Sequence, residues 1–312
     1  MRLIIIGNGF DLHHGLKTGY KDYCLFLKAH NPDTMESIHN SPYFDGACTD
    51  IFDEGDFFWT DVEGNLKFNF DAMLEESVGG YYPDLMEKSD ARWHKIEFDS
   101  EAKVRMIDTA FTTYALVNWL NTIDVSKADE THRVKFLSDD LFISFNYTET
   151  LEIFYGIPAE RILHIHGCIS NPESLQFGNP EQTPTIVKKK FEDIYGEDEF
   201  YGMSIEPAVN IYVNLAEIFS KDINSNVPIL TNFITDKEID EIVIMGHSYL
   251  GVDKAYYEKI LIPRFQKARW TIYCYKENDY TVARKFFYEK KLDGNAVYWN
   301  NSSLKERNKE FI

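Results

Sequence analysis

The chain has 312 residues, of which 44% are hydrophobic, and its 32 basic and 51 acidic side chains give a net charge of −19. This composition supports a large packed core and excludes a disordered or fibrous chain, while the acidity argues against broad nucleic-acid binding. No apolar run approaches the roughly 20 residues of a membrane span, and no leader-like segment precedes the first strand, so we expect a soluble cytoplasmic protein. The cysteines form no C-x-x-C pair and predict no zinc ribbon or redox motif; they are Cys24, Cys48, Cys168 and Cys274.

The predicted elements alternate between apolar strands and amphipathic helices. We expect strands at residues 2–6, 141–145, 162–166, 241–245 and 271–275, and helices from about Tyr20 and at 101–122, 253–265 and 279–290. Residues 31–100 are rich in Asp, Phe, Tyr and Gly with weak periodicity, and residues 59–63 fit a helix or a strand equally. Continuous apolar strands are typical of parallel sheets covered by helices on both faces. We therefore predict one α/β domain with a Rossmann-like parallel sheet, its core at 1–30 and 136–312, and a mostly helical insertion at 31–135 packed on it.

Small polar clusters follow four of the predicted strands. They lie at residues 7–11, 146–148, 166–167 and 246–248. Ligands of parallel α/β sheets bind beyond the carboxyl ends of the strands. We expect these clusters to converge on one crevice.

The first cluster, Gly7-Asn8-Gly9, stands between an apolar strand and a predicted helix. Glycine lets the backbone approach a phosphate or ribose, and a helix N-terminus offers free N–H groups and a positive dipole end. The full dinucleotide fingerprint needs a third glycine where Leu12 stands. A simple tight turn therefore remains the alternative, with Asn8 as a helix cap and Asp11 paired with His13 or His14.

Two hydrolase motifs are incomplete. Gly246-His247-Ser248-Tyr249-Leu250 resembles a nucleophile elbow, but Leu250 replaces the second glycine and no histidine follows Ser248. A serine hydrolase is therefore not expected, and a helix cap is the structural alternative for Ser248. His164 and His166 would share one face of a strand, which leaves a metal-dependent hydrolase as a weaker alternative.

A nucleotide site needs neither a metal nor a serine nucleophile. A histidine at a strand end can deprotonate water or a ribose hydroxyl near neutral pH. Asparagine at a neighbouring strand end offers both a donor and an acceptor to orient that hydroxyl or water. Nicotinamide is already a good leaving group, so positioning and electrostatics can supply most of the catalysis of NAD cleavage.

Six short motifs occur in a specific order along most of the chain. They are IIGNGFDLHHGL, W-x-D-x-E, FISFNYTETLE, HIHG, L-x-F-G and GHS…D…Y, within residues 3–23, 59–63, 142–152, 163–167, 175–178 and 244–257. This set resembles the AbiH abortive-infection family of bacterial antiphage proteins. That family is in turn similar to sirtuins and to sirtuin-like NAD-hydrolysing defence proteins. The resemblance implies a sheet of the sirtuin-like NAD-binding type.

The resemblance also implies roles for individual residues. His166 would be the general base, and Asn146 would orient the nicotinamide ribose or the attacking water. Ser248 would bind the adenosine side, with Asp253 shaping that wall. The implied nucleotide-binding residues are Gly7, Asn8, Gly9, Phe10, Asp11, Thr148, Gly167, Gly246, His247, Ser248 and Asp253.

The implied function is an intracellular antiphage effector that hydrolyses NAD to nicotinamide and ADP-ribose. NAD would be its substrate or ligand, with no required cofactor and no metal. The four-cysteine zinc module of sirtuin deacylases has no counterpart here, so deacylation is not expected. A non-catalytic nucleotide-binding sensor acting through protein contacts is the alternative. A phage-derived trigger and a homo-oligomer are further expectations.

Overall fold

The structure is a computed structural model that describes residues 1–39, 55, 57–79, 91–111, 113–195 and 199–300. Cys48 and parts of the predicted insertion lie outside these residues. The strands are β1 (Arg2–Ile6), β2 (Leu141–Ser144), β3 (Ile162–His164), β4 (Glu241–Met245), β5 (Arg269–Cys274) and β6 (Ala296–Asn300). The α-helices are α1 (Asn8–His13), α2 (Tyr20–His30), α3 (Pro32–His39), α4 (Val62–Asn65), α5 (Phe70–Gly79), α6 (Ala91–Phe111), α7 (Thr113–Leu120), α8 (Thr150–Ile153), α9 (Pro184–Tyr195), α10 (Glu199–Ile218), α11 (Ile223–Ile234), α12 (Lys254–Tyr256), α13 (Ile262–Arg264) and α14 (Glu277–Glu289).

The strands form one six-stranded sheet in the order β3-β2-β1-β4-β5-β6, and every pairing is parallel. Residues of β1 lie between those of β2 and β4, so that Leu3 is opposite both Leu141 and Ile242. The chain builds outward in both directions from β1, which is the doubly wound arrangement of Rossmann-like folds. The predicted class, an α/β protein with a Rossmann-like parallel sheet, is confirmed, and the sirtuin-like type of that sheet stays a prediction.

The two faces of the sheet bury alternate residues of the same strands, as the two-residue period of a strand requires. Leu3 and Ile5 pack with Leu230 of α11 and Phe287 of α14. On the opposite face, Ile4 and Ile6 pack with side chains of α1 and α8. Helices therefore cover both faces of the sheet.

The described chain divides into two compact units. The first contains the sheet and comprises Met1–Gly19, Leu120–Leu175 and the chain from Ile223 onward. The second comprises Tyr20–Trp119 and Gln176–Asp222. It is built from helices, and its interior holds an ion pair between Lys221 and Glu63 at 2.8 Å. The boundaries predicted at residues 31 and 135 stay a prediction.

Several element boundaries differ from those predicted. The helix expected at 101–122 is two helices, α6 and α7, and α6 begins ten residues before the predicted start. The prediction placed the start too late because the polar residues Ser100 and Lys103 lie on the buried face of α6 and obscure its apolar periodicity. Residues 57–65 form a 3₁₀ turn followed by α4. β2 and β3 end at Ser144 and His164, so His166 lies in the turn beyond its strand.

The segment after β4 also departs from a regular helix. Residues 254–264 form α12, a π-helical turn at Tyr257–Leu261 and α13. The sixth strand, β6, pairs with β5 at the sheet edge and was not expected from the sequence.

Candidate active site

The site lies at the carboxyl edge of the sheet, where the loops after β1 and β4 stand side by side. From β1 the chain order runs to β2 on one side of the sheet, and from β4 it runs to β5 on the other. This reversal is the topological switch point at which Rossmann-like proteins bind ligands. The loops after β1, β2, β3 and β4 carry the clusters predicted to converge.

The glycines of the first and fourth loops allow the two backbones to touch. Gly9 N–H donates to the Gly246 carbonyl at 2.8 Å, and a Cβ on Gly9 would lie 2.8 Å from the Gly246 Cα. Gly246 itself has a φ of +63°. A Cβ on Gly7 would lie 2.6 Å from the His247 ring. The residue types of both loops are therefore explained by their mutual packing.

Three amides of the first turn are donated to protein carbonyls. Gly7 N–H bonds to Met245 O at 3.2 Å, Gly9 N–H to Gly246 O, and Phe10 N–H to Gly7 O at 2.8 Å. These amides are not the free donors that the sequence led us to expect. Asn8 is exposed at the start of α1, which makes it the member of this turn most open to solvent.

Phe10 and Asp11 are both buried, in different surroundings. Phe10 belongs to the apolar cluster under the sheet and lies 4.5 Å from the His14 ring. Asp11 is fully buried and accepts a hydrogen bond from the Thr148 hydroxyl, so it pairs with neither His13 nor His14. Burial raises the pKa of the Asp11 carboxyl to about 6, although hydrogen bonding led by Thr148 opposes the shift.

The Asn146 side chain lies beside this carboxyl. Asn146 is 6% exposed, and its amide helps to lower the pKa of Asp11. Neither amide atom reaches hydrogen-bonding geometry with a partner among the described residues. Buried polar atoms of this kind normally bind a water or a ligand.

His166 is buried in the turn after β3. Its Nε2 lies 3.4 Å from Asp253 Oδ1, and its ring meets the Phe145 ring edge-on at 5.3 Å. Gly167 follows with a φ of +77°, and a Cβ there would overlap the Ser174 backbone. The requirement for glycine at 167 is therefore conformational and steric.

His247 stands on the other side of the same carboxylate. Its Nε2 lies 3.3 Å from Asp253 Oδ2, and its Nδ1 lies 2.7 Å from the Tyr257 hydroxyl. The ring also stacks on Phe145 with a centroid distance of 3.8 Å. Asp253 thus contacts two imidazoles, one with each carboxylate oxygen.

The remaining candidates lie nearby with different partners. His164 Nε2 bonds to Glu152 at 2.8 Å, so His164 and His166 have separate carboxylates. Among the described residues no group of three or more His, Cys, Asp or Glu is arranged to hold a metal. Ser248 is exposed, and its hydroxyl accepts from Leu250 N–H within its own loop at 3.3 Å. That bond forms a local turn and not the cap of a helix.

Sequence reasoning assigned no role to three residues that the site uses. The Thr150 hydroxyl lies 3.2 Å from the Thr148 hydroxyl, the Phe145 ring contacts the rings of His166 and His247, and Tyr257 hydrogen-bonds to His247. Tyr257 is the tyrosine of the GHS…D…Y motif, and it stands four positions after Asp253. That helical spacing was the available signal.

This sheet order, with polar loops at its switch point, defines a Rossmann-like α/β protein. The chain belongs to the AbiH family, because the family model described as bacteriophage abortive infection AbiH matches residues 3–274. Its role accordingly lies in bacteriophage abortive infection. No curated protein and no solved structure matched the chain. No helix in the described part of the chain is long and apolar enough to cross a membrane.

Proposed function

We propose that this protein binds NAD at the carboxyl edge of the sheet and hydrolyses it to nicotinamide and ADP-ribose during abortive infection. The observation that carries the proposal is a buried histidine, His166, whose Nε2 lies 3.4 Å from the Asp253 carboxylate at the switch point of a Rossmann-like sheet. The resemblance of the family to sirtuin-like NAD-hydrolysing proteins supplies the substrate.

Hydrolysis of NAD requires a general base and a group that orients the attacking water. His166 takes a proton from water as its oxygen bonds to the anomeric carbon of the nicotinamide ribose. In the same step the glycosidic bond breaks, its electron pair passes to the nicotinamide ring nitrogen, and neutral nicotinamide leaves. His166 returns the proton to solvent, which balances the reaction NAD⁺ + H₂O → nicotinamide + ADP-ribose + H⁺.

Asn146 supports this chemistry through its amide. Its buried donor and acceptor atoms lack hydrogen-bond partners among the described residues, as expected of a group that holds a water or a ribose hydroxyl. Asp11, Thr148 and Thr150 form a hydrogen-bonded group beside the Asn146 side chain. The phosphates would lie near Asn8 and Ser248, the two exposed polar side chains of the paired loops.

The test is NAD loss and nicotinamide release by the purified protein, with and without EDTA. Wild type is compared with His166→Ala and Asn146→Ala, and His94→Ala serves as control because that side chain is 80% exposed in the second unit. We expect EDTA-resistant turnover in wild type and control, and a loss of about 10²-fold or more in both site variants.

Other results would replace the proposal. If the protein binds NAD but does not turn it over, either when purified or in extract from infected cells, it is the nucleotide-binding sensor instead. Turnover that EDTA abolishes would indicate the metal-dependent hydrolase. Neither binding nor turnover would remove NAD as the ligand.

A further inference from the structure

A groove lies along α14 at the β6 edge of the sheet, outside the candidate active site. Its volume is about 510 Å³, within the range of roughly 300–1,000 Å³ that is typical of ligand sites. The lining belongs to α14 and β6, and none of it has a role in the proposed NAD site. The lining residues are Tyr280, Thr281, Arg284, Lys285, Tyr288 and Tyr298.

Aromatic and cationic side chains alternate along this groove. Tyr280, Arg284 and Tyr288 follow one another at intervals of four residues in α14, so they form one row on the helix surface. The row is about 12 Å long at the helical rise of roughly 1.5 Å per residue. Tyr288 is 68% exposed, and the Tyr280 ring meets the Tyr298 ring edge-on with centroids 5.5 Å apart. The row therefore has an aromatic ring at each end and a cation between them.

The two cations of the groove have no partner in the fold. Arg284 and Lys285 are exposed, and neither side chain forms an ion pair or a hydrogen bond within the described part of the chain. Lys290, by contrast, forms an ion pair with Glu258. Residues 280–292 include four basic side chains and one acidic side chain, although the whole chain has a net charge of −19. This surface therefore attracts an anion that the rest of the molecule repels.

The ligand whose chemistry matches both features is a single strand of nucleic acid. Its phosphates bind to cations, and its unpaired bases stack on aromatic side chains. Stacking accepts every base, so such a site needs no hydrogen-bond donors aimed at base edges. A double helix keeps its base faces stacked on one another and would leave the tyrosines unused. An acidic peptide would supply the charge but not the bases.

We propose that this groove binds single-stranded nucleic acid, with Arg284 and Lys285 on phosphates and Tyr288 stacked on a base. The proposal goes beyond NAD cleavage and does not depend on it, because none of these residues belongs to the candidate active site. It is compatible with the expectation against broad nucleic-acid binding, since it concerns one surface of an acidic protein. Two phosphate contacts predict an affinity that falls only about sevenfold between roughly 50 and 200 mM salt.

The experiment measures binding of a fluorescein-labelled thymidine strand of about ten nucleotides to the full chain by fluorescence anisotropy. The uridine strand of the same length and the thymidine strand paired with its complement are measured in parallel. We expect a single strand to bind at least about tenfold more tightly than the duplex, and the tighter of the two single strands identifies DNA or RNA as the source. Equal binding of the duplex would overturn the proposal, because it would exclude a contribution from stacked bases.

Two variants remove the two kinds of contact, and both alter exposed side chains. Arg284→Glu/Lys285→Glu should weaken binding at least about tenfold and remove most of its salt dependence. Tyr288→Leu should weaken binding about 5- to 150-fold, which is the loss expected for one stacked base. Tyr288→Phe keeps the ring and should bind within about twofold of wild type. Melting temperatures show that each variant is folded.

The matched control is Lys188→Glu/Lys189→Glu. These two lysines are also adjacent and exposed on a helix, α9, and they do not line the groove. The control changes the net charge by the same amount, so an equal loss of binding would indicate general repulsion and refute the site. Unchanged binding by Tyr288→Leu, or displacement of the strand by poly-glutamate at equal charge concentration, would also refute it. So would the failure of wild type to bind either single strand at low salt.

Discussion

Gly246 lies so close to Phe10 that no Cβ could be accommodated between them. A Cβ built on Gly246 would be well inside van der Waals contact with the Phe10 backbone nitrogen. Gly246 also has a φ of +63°, a conformation that other residues adopt at a cost. The loop after β4 is therefore locked to the start of α1 by a contact between two backbones.

Gly246→Ala should destabilise the protein by about 3 kcal/mol or more, since it combines backbone strain with overpacking against main-chain atoms. Gly15→Ala is the matched control, because Gly15 has a φ of +76° but open space around its Cα. It should cost only about 1–2 kcal/mol. Melting temperatures of the two variants measure the difference, and equal losses would contradict a steric role for Gly246.

Asp11→Asn should stabilise the protein at neutral pH. Burial raises the pKa of Asp11 to about 6 in the folded state, roughly two units above its unfolded value, a difference worth about 3 kcal/mol. Both states are protonated only well below pH 4, so the cost arises as the pH increases from about 3 to about 6 and is complete above that.

We would measure unfolding at pH 4 and 7.5, on either side of the pI of 4.9. The advantage of Asp11→Asn over wild type should grow by about 2 kcal/mol between these pH values. Asp139→Asn, which alters an exposed acid, should show the same difference from wild type at both. A pH-independent effect of Asp11→Asn would contradict a raised pKa.

Tyr257→Phe should cost about 1–2 kcal/mol, because it leaves the buried Nδ1 of His247 without its hydroxyl partner. The exposed Tyr288 is the control, and Tyr288→Phe should be neutral within about 0.5 kcal/mol. The ¹⁵N signals of His247 should shift in the first variant alone. An unchanged His247 spectrum would show that the tyrosine hydroxyl does not hydrogen-bond to this ring.

In the second unit, breaking the buried pair of Lys221 and Glu63 should be strongly destabilising. Their side chains are 2% and 8% exposed and 2.8 Å apart. Glu63→Gln and Lys221→Met should each cost about 3–5 kcal/mol, since each leaves a polar or charged partner buried. The double variant should cost clearly less than the sum of the two, and additive losses in a double-mutant cycle would rule out direct coupling.

Most of the sheet was readable from local sequence. Continuous, mostly apolar runs such as Leu3–Ile6 and Glu241–Met245 predict buried parallel strands, because both faces of such strands are apolar. The sequence does not predict the edge strand β6. The predicted start of α6 is too late because the buried face of this helix includes the polar residues Ser100 and Lys103. The burial of those groups depends on partners distant in sequence, such as Ser77.

The candidate site was predictable as a set of loops but not as a set of contacts. Strand ends at Gly7, Asn146, His166 and Gly246 could be placed at one edge because parallel strands share a direction. The sequence could not show that three amides of the Gly7–Phe10 turn bond to protein carbonyls, since two of their acceptors belong to residues 245 and 246.

The sequence by itself determined the parallel sheet, the loops that carry polar groups and the family motifs, because these follow from patterns within a few residues. Only the tertiary structure decided which of those groups meet. Asp253 contacts His166 across 87 positions of sequence, and Thr148 contacts Asp11 across 137. Such pairings depend on strand order and loop geometry, so chain folding and not local pattern makes Asp253 the common partner of two histidines.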